Sequence, residues 1–183
     1  SQHQRAVKGL TALRNVASDE ALQQISGIAA KVKFAGLKKR AGQAMDEIAA
    51  QRGFTRDELE DRVIPDGGLD ERGTRIFDYG TRRFLAYVTP DGKLAARILD
   101  AEGPPAGKAL STLPTPNKSD NSEQAKAAKA EYNLVKKAVT TLAKVQLARF
   151  ERAMIQDRRW APEDHARFIA PHPVLRHLLA GII

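Results

Sequence analysis

Three imidazoles near the C-terminus, His165, His172 and His177, lie close in sequence to Asp157, Glu163 and Asp164, and this mixture of donors is one that divalent metals use. The spacing argues against it. His172 and His177 are five residues apart, about 140° around a helix, whereas helical ligand pairs use three or four. Pro171 and Pro173 offer a bend that would gather them, but capping or surface imidazoles are the preferred reading, and neither a metal nor a cofactor is expected. Nucleophilic chemistry is equally poorly served. The chain has no Cys and no Gly-x-Ser-x-Gly, and Ser111, Ser119 and Ser122 fall in a turn-rich stretch. A phosphate cradle needs a Gly-rich turn leading from strand to helix, yet Gly67-Gly68 leads from helix toward strand. The paired acids Asp57-Glu58, Glu60-Asp61 and Asp70-Glu71 read as an exposed, cap-rich elbow, because acid/base work wants carboxylates in an apolar cleft.

The basic residues are the stronger signal. Lys+Arg 30 against Asp+Glu 22 gives +8, with +5 in residues 1–52, −4 in 53–73, +2 in 74–121, +5 in 122–160 and 0 beyond. Such a balance attracts polyanions at low salt. Two clusters would supply phosphate contacts: Lys31, Lys33, Lys38, Lys39 and Arg40, and then Lys126, Lys129, Lys136, Lys137 and Lys144. No aromatic interleaves with the second set, so a solvated helix face competes with nucleic-acid binding as its explanation. Arg158-Arg159-Trp160 is a candidate partner site, in which guanidinium and indole would meet a second surface, or else Trp160 plugs a core.

These groups need elements to hold them. Val7, Leu10, Leu13 and Val16 make one helical stripe, and Leu22, Ile25, Ile28 and Ala29 resume it after an N-cap at Ser18. Lys31 to Leu37 reads as a basic connector, and Leu37, Ala41, Ala44, Met45, Ile48 and Ala49 line a further helix stopped by Gly53. Thr55 with Glu58 forms a capping-box pattern. Residues 1–64 are therefore expected to be a HEAT-like helical segment. Residues 65–183 are expected to be an α+β domain. Within it, Thr74–Tyr79, Arg82–Val88 and Lys93–Leu99 alternate as a three-stranded antiparallel meander over about 74–99, joined by a two-residue Gly80-Thr81 connection and by Pro90-Asp91-Gly92, with Arg75, Arg83 and Arg97 outward. The Pro- and Asn-rich stretch 100–121 reads as loop, and residues 122–157 as one long helix. Tyr132, Val135, Ala138, Val139, Leu142, Phe150 and Ala153 share its packed face, and Lys126, Lys137, Lys144 and Glu151 lie nearly opposite. Short C-terminal helices follow over 162–181, interrupted at Pro171-His172-Pro173. The fold class expected is mainly helical α+β.

Composition removes other classes. With 42% hydrophobic residues and no Cys, the chain can bury a core but cannot be a disulfide-stapled module. It has no apolar run of about 18 residues and no signal peptide, so it reads as cytoplasmic. A start at Ser1 and an apolar end at Ile182-Ile183 suggest a piece of a longer protein.

Several ordered strings, Asp61-Arg62-Val63-Ile64-Pro65-Asp66-Gly67-Gly68-Leu69-Asp70, Phe77-Asp78-Tyr79-Gly80-Thr81-Arg82-Arg83-Phe84, and Leu147 to Met154 through Arg158-Arg159-Trp160 with His172-Pro173-Val174-Leu175-Arg176-His177, resemble the molybdate-metabolism-regulator family, over roughly residues 57 to 180. These are large bacterial proteins of unknown biochemistry, several with an added domain named for a Trp-Gly-Arg motif. Here Trp160 is followed by Ala161, so the nucleic-acid association of that added domain is not implied. What the resemblance implies is regulation. The expected function is a non-catalytic interaction or regulatory module of a larger bacterial protein, partnered by other domains of the parent or by another protein, with polyanion binding as the rival.

Overall fold

The computed structural model describes residues 2–16, 18–31, 34–99 and 105–180, and the chain is a mainly helical α+β protein. It divides into two compact units, Ser1–Pro65 and Asp66–Ile183.

In the first unit, α1 (Gln2–Val16), α2 (Asp19–Lys31), α3 (Ala35–Gln51) and α4 (Arg56–Arg62) close on one core. Leu10, Leu22, Ile25, Leu37, Met45, Ile48 and Leu59 fill it, and each loses its water contact to neighbours on the other helices. Arg52 ends α3 with Gly53 beyond it at φ +73, and Thr55 and Glu58 make the reciprocal capping box that starts α4. The connector expected over Lys31 to Leu37 is shorter than that, because α3 already begins at Ala35.

The second unit carries a four-stranded antiparallel sheet in the order β1 (Thr74–Asp78), β2 (Arg83–Val88), β3 (Leu94–Leu99), β4 (Ala106–Leu110). The expected three-stranded meander is thus one strand short, and part of the expected loop 100–121 is β4. Its residues are exposed almost throughout, so nothing in their pattern announces a strand, and pairing with β3 recruits them, with a register shift between Ala96 and Ile98. The regular pairing of β1 with β2 ends at Asp78 and Arg83, and Tyr79 N–H bonds the Arg82 carbonyl at 2.8 Å across the two-residue Gly80-Thr81 connection, as read, while the Tyr79 hydroxyl donates to the Pro114 carbonyl at 3.0 Å. The second connection is also as read: Gly92, at φ +71, closes Thr89 to Lys93, and a Cβ there would lie 2.7 Å from Ala143 of the long helix.

One face of the sheet, Phe77, Phe84, Ala86, Val88, Leu94 and Ala96, is buried. It packs under α5 (Ser122–Ile155), 34 residues or about 51 Å long at 1.5 Å per residue. The ring of Tyr132 meets Phe77 edge-on at 5.4 Å. Arg75, expected outward, shares the register face of Phe84's neighbour Ala86 and reaches Glu131 of α5 and the Gly68 carbonyl. In β3 the alternation fails, since Leu94, Ala95 and Ala96 are all buried and Ile98 is exposed. The α5 face is also offset from the one expected: Ala125, Ala128, Ala143 and Gln146 join it and Ala138 is exposed.

The helix ends two residues before the expected Asp157. There Asp157 adopts φ +48, while Arg158 N–H bonds the Ala153 carbonyl and Asp157 N–H the Met154 carbonyl, a Schellman termination with Asp where Gly is usual. The C-terminal helices expected over 162–181 reduce to a turn, α6 (Pro162–Asp164), a π-helical turn His165–Ile169, and α7 (Leu175–Leu179).

Candidate functional site

Charged side chains in the second unit fall into three settings. The first is sealed. Asp120 is buried immediately before Asn121, whose side chain caps α5. Its carboxylate accepts from Arg82 Nε at 3.1 Å and Nη2 at 2.5 Å, from the Thr81 hydroxyl at 2.8 Å and from Asn117 N–H at 2.8 Å. The Arg82 guanidinium, helped by those N–H and O–H donors against the opposing effect of burial, holds the Asp120 carboxyl far below the usual carboxylate range. This network ties the β1–β2 connection to the start of α5, and no spacing in the sequence links position 82 to position 120.

The second setting is the water-facing side of α5. Lys126, Lys137 and Lys144 are exposed there, and Lys129 and Lys136 are half-buried on its flank. Lys136 Nζ donates to the Ser111 carbonyl at 2.6 Å. With Asn133, Lys137, Thr140, Thr141 and Lys144 it lines an open groove of about 500 Å³.

The third setting is the far end of the same helix. Trp160 is half-buried, its ring 5.7 Å from Phe150 and the Arg158 guanidinium 4.6 Å above it. Met154, one turn beyond Phe150, is 72% exposed, and Ile155 86%. Of the three residues expected as a partner site, Arg158 and Trp160 are stacked together. Arg159 stands out in solvent, with Asp157 at 3.5 Å. Met154 and Ile155, which the sequence reading passed over, extend the patch; the signal for them was their place past the last packed position of the helix.

The first basic cluster belongs to the other unit. Lys38, Lys39 and Arg40 are exposed on the first turns of α3, Lys31 ends α2, and Lys33 lies outside the described residues. Arg40 borders a cavity of about 210 Å³ between α1 and α3, across which Arg14 pairs with Glu47 at 2.9 Å.

The histidines separate. His172 is buried and its Nδ1 accepts from Val174 and Leu175 N–H at 3.2 and 3.3 Å, starting α7, which is cap chemistry. His177 Nε2 lies 3.3 Å from the Arg72 carbonyl, and His165 is exposed. No group of three His, Cys, Asp or Glu among the described residues is placed to hold a metal, and no described helix is long and apolar enough to cross a membrane.

A family model described as a domain of unknown function, DUF4132, matches residues 107–183, which contain most of β4 and all of α5 to α7. The chain is 32% identical over 179 residues to the uncharacterized protein YehI of Escherichia coli (strain K12). That similarity takes in 98% of this chain, which spans 14% of the length of the relative. No solved structure matches the chain. Neither similarity brings an activity with it, so function has to be argued from the surfaces above.

Proposed function

We propose that the chain is a non-catalytic interaction module of a longer protein, and that the far end of α5 is where another part of that same polypeptide docks. The observation that carries this reading is the pair Met154 and Ile155, 72% and 86% exposed beside the Phe150–Trp160–Arg158 stack. Aromatic, Met and Arg side chains are the residue types enriched at the buried centres of interfaces, and a folded domain gains nothing by leaving two large aliphatic side chains in water. The extent of the similarity to YehI, of which the matched region is a small share, supports an occupant from the same chain. The motifs that resemble the molybdate-metabolism-regulator family support a regulatory setting. Arginines 149, 152, 158 and 159 outnumber Glu151 and Asp157 here, which favours a docking segment that is apolar and acidic.

The two methionines make a direct test. Met45 is fully buried and Met154 exposed, so hydroxyl radicals oxidise Met154 selectively in the 183-residue chain. In the full-length protein Met154 is expected to be protected several-fold while Met45 is unreactive in both. Equal Met154 oxidation in the two would overturn the reading.

A further inference from the structure

We infer that the water-facing side of α5 is a binding rail for the phosphate backbone of duplex nucleic acid, an inference independent of the docking end. Lys126, Lys137 and Lys144 follow one another by 11 and 7 residues. At 100° per residue all three fall within about 20° of a single line along the helix, and they span about 27 Å of its length. Ala130 and Asn133 lie about 30° to either side of that line; Glu131, between Lys126 and Lys137, is turned about 130° away and pairs with Arg75, and Glu151 ends the line seven residues beyond Lys144.

Several cations elsewhere are matched by acids, although among the described residues Lys38, Lys39, Arg40, Arg83, Arg97, Lys108 and Lys118 are not. Arg14 pairs with Glu47, Arg56 with Asp46 and Glu60, Arg75 with Glu131, Arg82 with Asp120, and Lys93 with Asp91. No carboxylate among the described residues pairs with Lys126, Lys129, Lys136, Lys137 or Lys144. The hydroxyls of Thr140 and Thr141 donate back to the Lys136 and Lys137 carbonyls at 2.8 and 2.7 Å, and Lys136 Nζ is engaged with the Ser111 carbonyl, leaving the Lys126, Lys137 and Lys144 ammonium groups and the Asn133 amide as the donors offered outward.

The geometry favours a duplex. A straight rail of 27 Å matches roughly eight steps of a duplex at 3.4 Å each. Single strands are held by aromatic stacking platforms, and Tyr132 is buried beneath the helix while Phe150 is engaged with Trp160. Ammonium groups spaced along a line suit phosphate oxygens, so binding on this rail is expected to depend little on sequence.

The test is fluorescence anisotropy of the 183-residue chain against labelled random-sequence duplex DNA and the matching single strand at low and moderate salt. Three to five lysine contacts predict a loss of affinity of about 40- to 500-fold between 50 and 200 mM salt. Changing Lys126, Lys137 and Lys144 together to Gln is expected to flatten the log–log salt slope by about 3, and changing them to Arg to preserve it. A control with the same loss of charge, K38Q/K39Q/R40Q, is expected to keep the wild-type slope. Absence of duplex binding at low salt, tighter binding of the single strand, or equal loss in the control and the rail variant would each overturn the proposal.

Discussion

The two long faces of α5 are built from the same chain at the same pitch and have opposite economies of contact. On the sheet side Tyr132, Val135, Val139 and Leu142 are buried, and the packing is close enough that Gly67, at φ +74, would place a Cβ 3.1 Å from Val139. On the water side Lys126, Lys137 and Lys144 pair with no carboxylate among the described residues. Charge that serves the fold is treated differently, as Asp120 shows with donors from Arg82, Thr81 and Asn117 around it. Asp120 is buried and so needs those donors, whereas the three lysines are exposed on one helix face and their charge is presented to solvent.

If that contrast is right, truncation on the packed face should cost most. Leu142→Ala removes buried methyl groups from the contact with the Gly67 turn and should lower unfolding free energy by about 2–5 kcal/mol, read by urea denaturation. The Asp120 network comes next. Asp120→Asn keeps the shape and removes the charge that Arg82 faces, and should lower Tm by several degrees at neutral pH. Its pH dependence has a definite sign: the folded-state carboxyl is depressed, so its contribution is fully present above the unfolded value near 3.9 and is lost as pH falls below it. The gap between wild type and Asp120→Asn should therefore narrow on acidification below about pH 4, and a constant gap would show that the pair is not the source. The smallest effect belongs to the wet face: Lys137→Gln with Lys144→Gln should shift stability by less than about 0.5 kcal/mol, and a larger loss would mean these lysines serve the fold after all.

Much of α5 was legible in advance because a long helix against one sheet repeats its own evidence every turn, and Tyr132, Val135, Val139 and Leu142 are where the 3.6-residue period places them. Its edges were not, since Ala138 and Ala143 are chemically alike and only the position of the sheet decides which one is covered. The capping box at Thr55 and the turn at Gly92 are local chemistry and could be read locally. β4 and the Arg82–Asp120 pair are long-range: a Gly- and Lys-containing exposed segment becomes a strand, and two residues 38 apart become neighbours, only once the hairpin is in place. The partner-site reading of Arg158 and Trp160 depended on residue type and found the right neighbourhood, while Met154 and Ile155 needed the helix end to be located first.

The same strand β4 also determines how the sheet meets other molecules. An exposed edge strand is a template on which a second chain can add itself, the first step toward aggregation. Here the edge carries Lys108 in the middle, Gly107 in the left-handed region at φ +82, and a register shift where it joins β3. A flat incoming strand finds a charge and a twist instead of an even row of donors and acceptors, so the ladder that recruited β4 is poorly suited to recruiting a fifth strand.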